Sequence, residues 1–126
     1  SCTMNGIPPK VGKNVKLITG RIEDTLDKFL EEHQNKKANF IHSDVDTYAT
    51  TKFILERVKP ILNNGCVIIF DQLHNHSGWR ANEYKALIEV FNEKEFKFIA
   101  FDLAGYYACS AAIKFIGAKM QETIVS

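Results

Sequence analysis

Asn39-Phe-Ile-His-Ser-Asp-Val-Asp46 reads as a short buried strand ending in two carboxylates two residues apart, with a helical pattern beginning directly after it near Thr47. Gly65-Cys-Val-Ile-Ile-Phe-Asp71 repeats the form: an apolar run of strand length closed by an acid. In an open α/β sheet, ligands bind in the crevice beyond the carboxyl ends of parallel strands, so acids at two adjacent strand ends converge on one pocket. Carboxylates packed that closely repel, and a bound cation or a raised pKa relieves the repulsion. The two stretches together predict a parallel α/β sheet with one shared acidic site.

Working outward, Ala49, Phe53, Ile54, Val58 and Ile61 mark the expected buried face of the helix after Asp46. Pro60 limits that helix to a distorted last turn, because it lacks an N–H and clashes with the carbonyl four residues back. Asn63-Asn64-Gly65 is a turn signal, and Cys66 to Phe70 is uniformly apolar, as expected of a strand covered on both faces. Upstream, Val15 to Thr19 alternates like a strand closed by Gly20. Ile22, Leu26, Phe29, Leu30 and His33 then follow at helical spacing, with Asp24 or Thr25 as N-cap and a turn at Gln34 to Lys37. Ser1 to Asn14, with Gly6, Pro8-Pro9 and Gly12, is loop.

Downstream of Asp71, Gln72 to Asn82 is a long polar loop containing Trp79, of the kind that carries function at strand ends. Tyr84, Leu87, Ile88 and Phe91 define a third amphipathic helix. Phe96 to Leu103 and Tyr107 to Ile116 form an antiparallel pair around Ala104-Gly105-Tyr106, and Met120 to Ser126 is a frayed tail. The order strand, helix, strand, helix, strand, helix, strand, strand is that of a Rossmann-like three-layer sandwich in a single domain, residues 1–126.

The chain's 126 residues suffice for a core without staples, and a formal charge of +1 provides no field to steer it onto nucleic acid or an anionic membrane. Three cysteines without metal-ligand spacing argue against a disulfide framework; Cys66 and Cys109 sit in apolar runs as small hydrophobes. No apolar run approaches membrane-span length, so a soluble, cytoplasmic protein is expected.

The succession Thr19-Gly20, Glu23-Asp24-Thr25-Leu26, Ser43-Asp44-Val45-Asp46-Thr47-Tyr48 with Thr51, Lys59-Pro60, Phe70-Asp71, and Gly78-Trp79-Arg80 with Glu83-Tyr84-Lys85-Ala86 resembles the later part of class I S-adenosylmethionine-dependent methyltransferases. Within that class it is most similar to the macrocin O-methyltransferase-like group, whose members methylate sugar hydroxyls in a magnesium-dependent way. The resemblance spans roughly Gly6 to Ile116 and implies a partial class I fold with a C-terminal antiparallel strand pair. It implies that Asp44 and Asp71 bind Mg2+, that Asp46 is the general base on a sugar or small-molecule hydroxyl, and that Gly20, Arg21, Ile22 and Asp44 contact S-adenosylmethionine.

Two departures stand out. Gln72 occupies a position where the family usually has an acid, and an amide oxygen ligates a hard cation without contributing charge. The Gly-rich cofactor turn has no counterpart, since no G-x-G occurs. Without the strands that separate them in the family, Val15–Thr19 must pair beside Phe40–Ser43, detach, or be completed by another chain. A homo-oligomer or a missing N-terminal half is therefore expected.

Several residues have plainer readings. Asp44 and Asp46 are placed to cap the following helix. His42 reads as structural, and His74 and His76 as transition-metal ligands or a solvated pair. Trp79 could stack on a substrate ring or cover the sheet end, Arg80 could pair with Glu83, and Gly20-Arg21 could be a simple turn. Tyr48 and Phe53 read as core. Two other functions fit the acidic pattern: an Asp-x-Asp glycosyltransferase, and a non-catalytic, receiver-like or metal-binding α/β domain. For a receiver, Phe101-Asp102-Leu103 lacks the required lysine.

Overall fold

The computed structural model describes residues 10–45, 47–71, 73, 78–101 and 110–117, with the side chain of Trp79 excepted. Asp46, Gln72, His74, His76, Asp102 to Cys109, Ser1 to Pro9 and the C-terminal tail lie outside the described residues. The elements are α1 (Ile22–Glu32), β1 (Ala38–Ser43), α2 (Tyr48–Val58), a 3-10 turn (Lys59–Ile61), β2 (Leu62–Phe70), a second 3-10 turn (Trp79–Ala81), α3 (Glu83–Val90), β3 (Phe96–Phe101) and β4 (Ala111–Phe115).

They build one sheet in the order β1-β2-β4-β3. β1 and β2 are parallel, with Phe40 opposite Val67 and Ser43 opposite Phe70, and α2 is the crossover between them. β4 is antiparallel to both β2 and β3, so the C-terminal antiparallel pair is present as expected. A mixed α/β sheet that ends in an antiparallel strand pair is the arrangement expected from sequence.

Period-two alternation divides the sheet cleanly. Cys66, Ile68 and Phe70 of β2 and Ala111, Ile113 and Phe115 of β4 are buried against Leu55 and Val58 of α2 and Ala86 and Leu87 of α3. The opposite face, with Phe40, His42, Val67, Ile69, Ala100 and Lys114, is exposed or half-buried and carries no helical layer among the described residues. Covering of β2 on both faces, expected from its apolar run, is therefore not seen there.

Several boundaries differ from those expected. Val15–Thr19 forms no strand: Val15, Leu17 and Ile18 are 48%, 44% and 45% exposed. The apolar alternation is there, but a strand exists only by pairing, and β1 pairs with β2 alone. α1 begins at Ile22 with Arg21 at the N-cap, ahead of Asp24 and Thr25; the Thr25 hydroxyl instead donates to the Arg21 carbonyl at 3.0 Å. The buried face of α2 is Thr51, Leu55 and Val58, with Ala49 exposed and Phe53 half-buried under the Arg57 guanidinium. Pro60 ends α2 in a 3-10 turn as its chemistry requires.

Asn63-Asn64-Gly65 does not separate helix from strand but lies inside β2. The register slips between Ala38 opposite Leu62 and Phe40 opposite Val67, and Gly65 at φ 87° takes the left-handed conformation that this irregularity needs. In α3, Leu87 is buried but Ile88 is 49% exposed, its inward place taken by Ala86 and the fully buried Glu83.

Lys59, at the foot of α2, ties the end of α3 to the start of β3. Its ammonium donates to the Val90 carbonyl and to Glu95 Oε1, both at 2.9 Å, and the Asn92 N–H donates to the same carboxylate. Burial works to raise the Glu95 pKa, but the Asn92 N–H and the Lys59 ammonium outweigh it, holding the carboxyl below its ordinary value. A lowered folded-state pKa contributes stability above the unfolded value and loses it as pH falls through the folded one. Glu95→Gln is therefore expected to cost about 1–2 kcal/mol near neutrality. Urea unfolding should show the deficit vanishing in acid; a deficit independent of pH would contradict the ionic link.

Candidate functional site

Asp44 and Asp71 each follow the carboxyl end of one of the two parallel strands, β1 and β2. The Asp71 N–H donates to the Ser43 carbonyl at 3.1 Å, extending the parallel pairing one residue past β2 and bringing Asp71 level with Asp44. The Asp71 carbonyl accepts from the Ser110 hydroxyl at 3.1 Å, which anchors the same residue to the approach of β4. Asp71 Oδ1 lies 3.5 Å from His42 Nε2, with both side chains about half exposed. His42, read from sequence as structural, thus has a partner in Asp71.

The backbone behind this rim is fixed by α2. Thr47, not Asp44 or Asp46, is its N-cap, accepting the Thr50 N–H at 3.3 Å. The buried Thr51 hydroxyl donates to the Thr47 carbonyl at 2.6 Å. Tyr48 hydrogen-bonds Glu89 across to α3, with Lys52 bonded to its hydroxyl and Lys85 over its ring at 4.6 Å. The Tyr48 hydroxyl and the flanking lysines hold the Glu89 carboxyl below its ordinary range. Tyr48 therefore bridges the two helices and packs against the core, as expected.

A cavity of about 440 Å³ opens between α1, β1 and α2, lined by Ile22, Leu26, Ile41, Ser43, Asp44 and Ile54 among others. Ile22 and Asp44, two of the four residues matched to cofactor contacts, thus share one cavity; Gly20 and Arg21 stand outside its lining. Ser43 Oγ, buried at its upper end, has no hydrogen-bond partner among the described residues. Gly20 enters α1 at φ 123°, where a Cβ would meet Thr25 Cγ2 at 3.2 Å, so this turn is built for glycine.

Among the described residues, no group of three or more His, Cys, Asp or Glu is placed to hold a metal ion. Asp44 and Asp71 follow neighbouring strands; Asp46 and Gln72, assigned with them, lie outside the described residues, as do His74 and His76. Ser110 was not singled out from sequence, and Glu83 was named there only within the family motif and as a partner for Arg80, not as a buried acid. Only the pairing of β4 with β2 brings Ser110 to Asp71, so no local signal marks it. Glu83 did carry one, being an acid at the i, i+3, i+4 spacing it shares with buried Ala86 and Leu87.

A family model described as a methyltransferase domain matches residues 4–73, more than half of the chain, a span that includes Asp44 and Asp71. The chain belongs to this methyltransferase family. Solved structures agree: CalS11, described as a TDP-rhamnose 3'-O-methyltransferase of calicheamicin biosynthesis, is 27% identical with a TM-score of 0.63, over 77% of this chain and 39% of that one. A second CalS11 structure gives the same identity and TM-score over 36% of its chain. The methyltransferase chain here thus spans under two fifths of the length of these structures. A comparison with curated protein sequences found no match.

The resemblance to the macrocin O-methyltransferase-like group is borne out. The match runs through the Asp-x-Asp stretch itself, so that motif belongs to a methyltransferase, and the glycosyltransferase reading is set aside. No helix among the described residues is long and apolar enough to cross a membrane.

Proposed function

We propose that this methyltransferase domain carries out S-adenosylmethionine-dependent, metal-assisted methylation of a hydroxyl on a sugar or other small molecule. The observation that carries the reading is the hydrogen bond from the Asp71 N–H to the Ser43 carbonyl, since Asp44 and Asp71 are then adjacent residues at neighbouring strand ends. The likeness to CalS11, described as a sugar O-methyltransferase, supports the acceptor class.

The residues fit both groups the reading implies. An apolar cavity with a carboxylate at its rim suits an adenosine, whose ring needs apolar walls and whose ribose needs an acceptor. Ile22 and Asp44 would line that site, with Gly20 and Arg21 at the turn before α1. When bound, S-adenosylmethionine supplies an electrophilic methyl on a sulfonium. Carboxylate oxygens are the donors that Mg2+ prefers, so Asp44 and Asp71, with Gln72, would hold the cation, and its charge would favour the ionised acceptor hydroxyl.

The chain's own part is then positioning and proton removal. Asp71 has its backbone tied through its N–H to β1 and through its carbonyl to Ser110, a fixed base from which its carboxylate would help position the acceptor. Asp46 takes the proton from the acceptor hydroxyl.

Calorimetric titration with S-adenosylmethionine, with and without magnesium, tests the reading. Binding that magnesium strengthens and Ile22→Lys abolishes is expected. Absence of S-adenosylmethionine binding under both conditions would refute cofactor use by this chain.

A further inference from the structure

The main chain of Asp71 is held on two sides: its N–H donates to the Ser43 carbonyl and its carbonyl accepts from the Ser110 hydroxyl, both at 3.1 Å. The freedom left to the carboxylate is rotation about its own side-chain bonds. Register decides what it meets. Ile69 lies opposite His42, and residues two apart along a strand share a face, so Asp71 emerges on the face of His42, one step further along. Among the described residues, the imidazole is the side chain that reaches this carboxylate, with Nε2 3.5 Å from Oδ1.

We propose that His42 is a positioning residue for the cation site: its Nε2–H occupies Oδ1 of Asp71, so that Asp71 offers a cation one oxygen, Oδ2, rather than both. The inference rests on the reading of Asp71 as a cation ligand. A carboxylate accepts from the tautomer that carries its hydrogen on Nε2, so the contact needs no charge on the ring.

An aspartate held in this way suits a small cation. Mg2+ demands near-ideal octahedral geometry, whereas Ca2+ is larger, more flexible in coordination, and takes carboxylates through one oxygen or two. Hydrogen bonds to a ligating carboxylate also fix the direction from which it approaches the metal. His42 therefore sets a preference for Mg2+ over Ca2+.

Calorimetric titration of the full chain with Mg2+ and, separately, with Ca2+ tests this without turnover. His42→Ala should weaken Mg2+ binding by about tenfold or more and Ca2+ binding by less, so that the preference falls. His42→Gln should keep the wild-type preference, because its amide N–H stands close to the place of Nε2. His42→Asn, whose amide matches Nδ1, should behave as the alanine variant does. A wild-type chain that binds neither cation would overturn the reading of Asp71 as a ligand and this inference with it. A wild type that binds Mg2+ while His42→Ala leaves the preference unchanged, or while Gln and Asn behave alike, would overturn the inference alone and leave the cation site standing.

Discussion

Phe70→Ala should lower the unfolding free energy by about 3–5 kcal/mol, a large share of the ~5–15 kcal/mol that holds a typical domain. Phe70 has no exposed surface and lies in register with Ser43 on one side and Ala111 on the other, so its ring fills the space between the sheet and the helices. Truncation leaves a cavity that two neighbouring strands prevent from collapsing. Ile88→Ala provides the contrast: Ile88 is 49% exposed on α3, and its loss should stay within about 0.5 kcal/mol. Urea unfolding of the two variants decides between this core and one built on the helical face expected from sequence; comparable losses would mean that Ile88 is buried after all.

Asp46→Asn is expected to lower turnover by about 10²–10⁴-fold while leaving magnesium and S-adenosylmethionine binding close to wild type. An amide preserves size and an acceptor oxygen but cannot take a proton from a hydroxyl. Asp44→Asn should instead weaken magnesium binding first, because the lost charge lies at one of the two strand ends that the Ser43 to Asp71 hydrogen bond aligns. Single-turnover methyl transfer, measured beside magnesium titration, separates the two. Parallel loss of turnover and metal binding in Asp46→Asn would remove the proposed division of roles.

The parts of the fold legible in sequence are those with a local cause. Pro60 ends α2 because its ring and missing N–H act within one turn, and the acids after β1 and β2 mark strand ends because apolar runs stop there. Val15–Thr19 shows the limit: its alternation is real, but pairing is a property of two strands, and Leu17 and Ile18 stay exposed without one. The face of α2 agrees with expectation at Ile54, Val58 and Ile61 and departs from it elsewhere for a related reason. Thr51 is polar by composition, yet its hydroxyl is satisfied by the Thr47 carbonyl, so it can be buried where Ala49 was expected. At the candidate site, the place of Asp44 and Asp71 after neighbouring strands was legible, whereas Ser110 reaches Asp71 only through strand pairing across 39 positions of chain.

The irregularity at Asn63-Asn64-Gly65 bears on how this domain tolerates change. Four positions of β2, Asn63 to Cys66, face the single step from Ala38 to Phe40, whereas from Val67 to Phe70 the two strands advance together residue for residue. Slack is thus gathered at the end of the strand pair remote from Asp44 and Asp71. Length changes in the connection after α2 can be absorbed there, and the alignment of the two carboxylates remains a local property of the last four rungs.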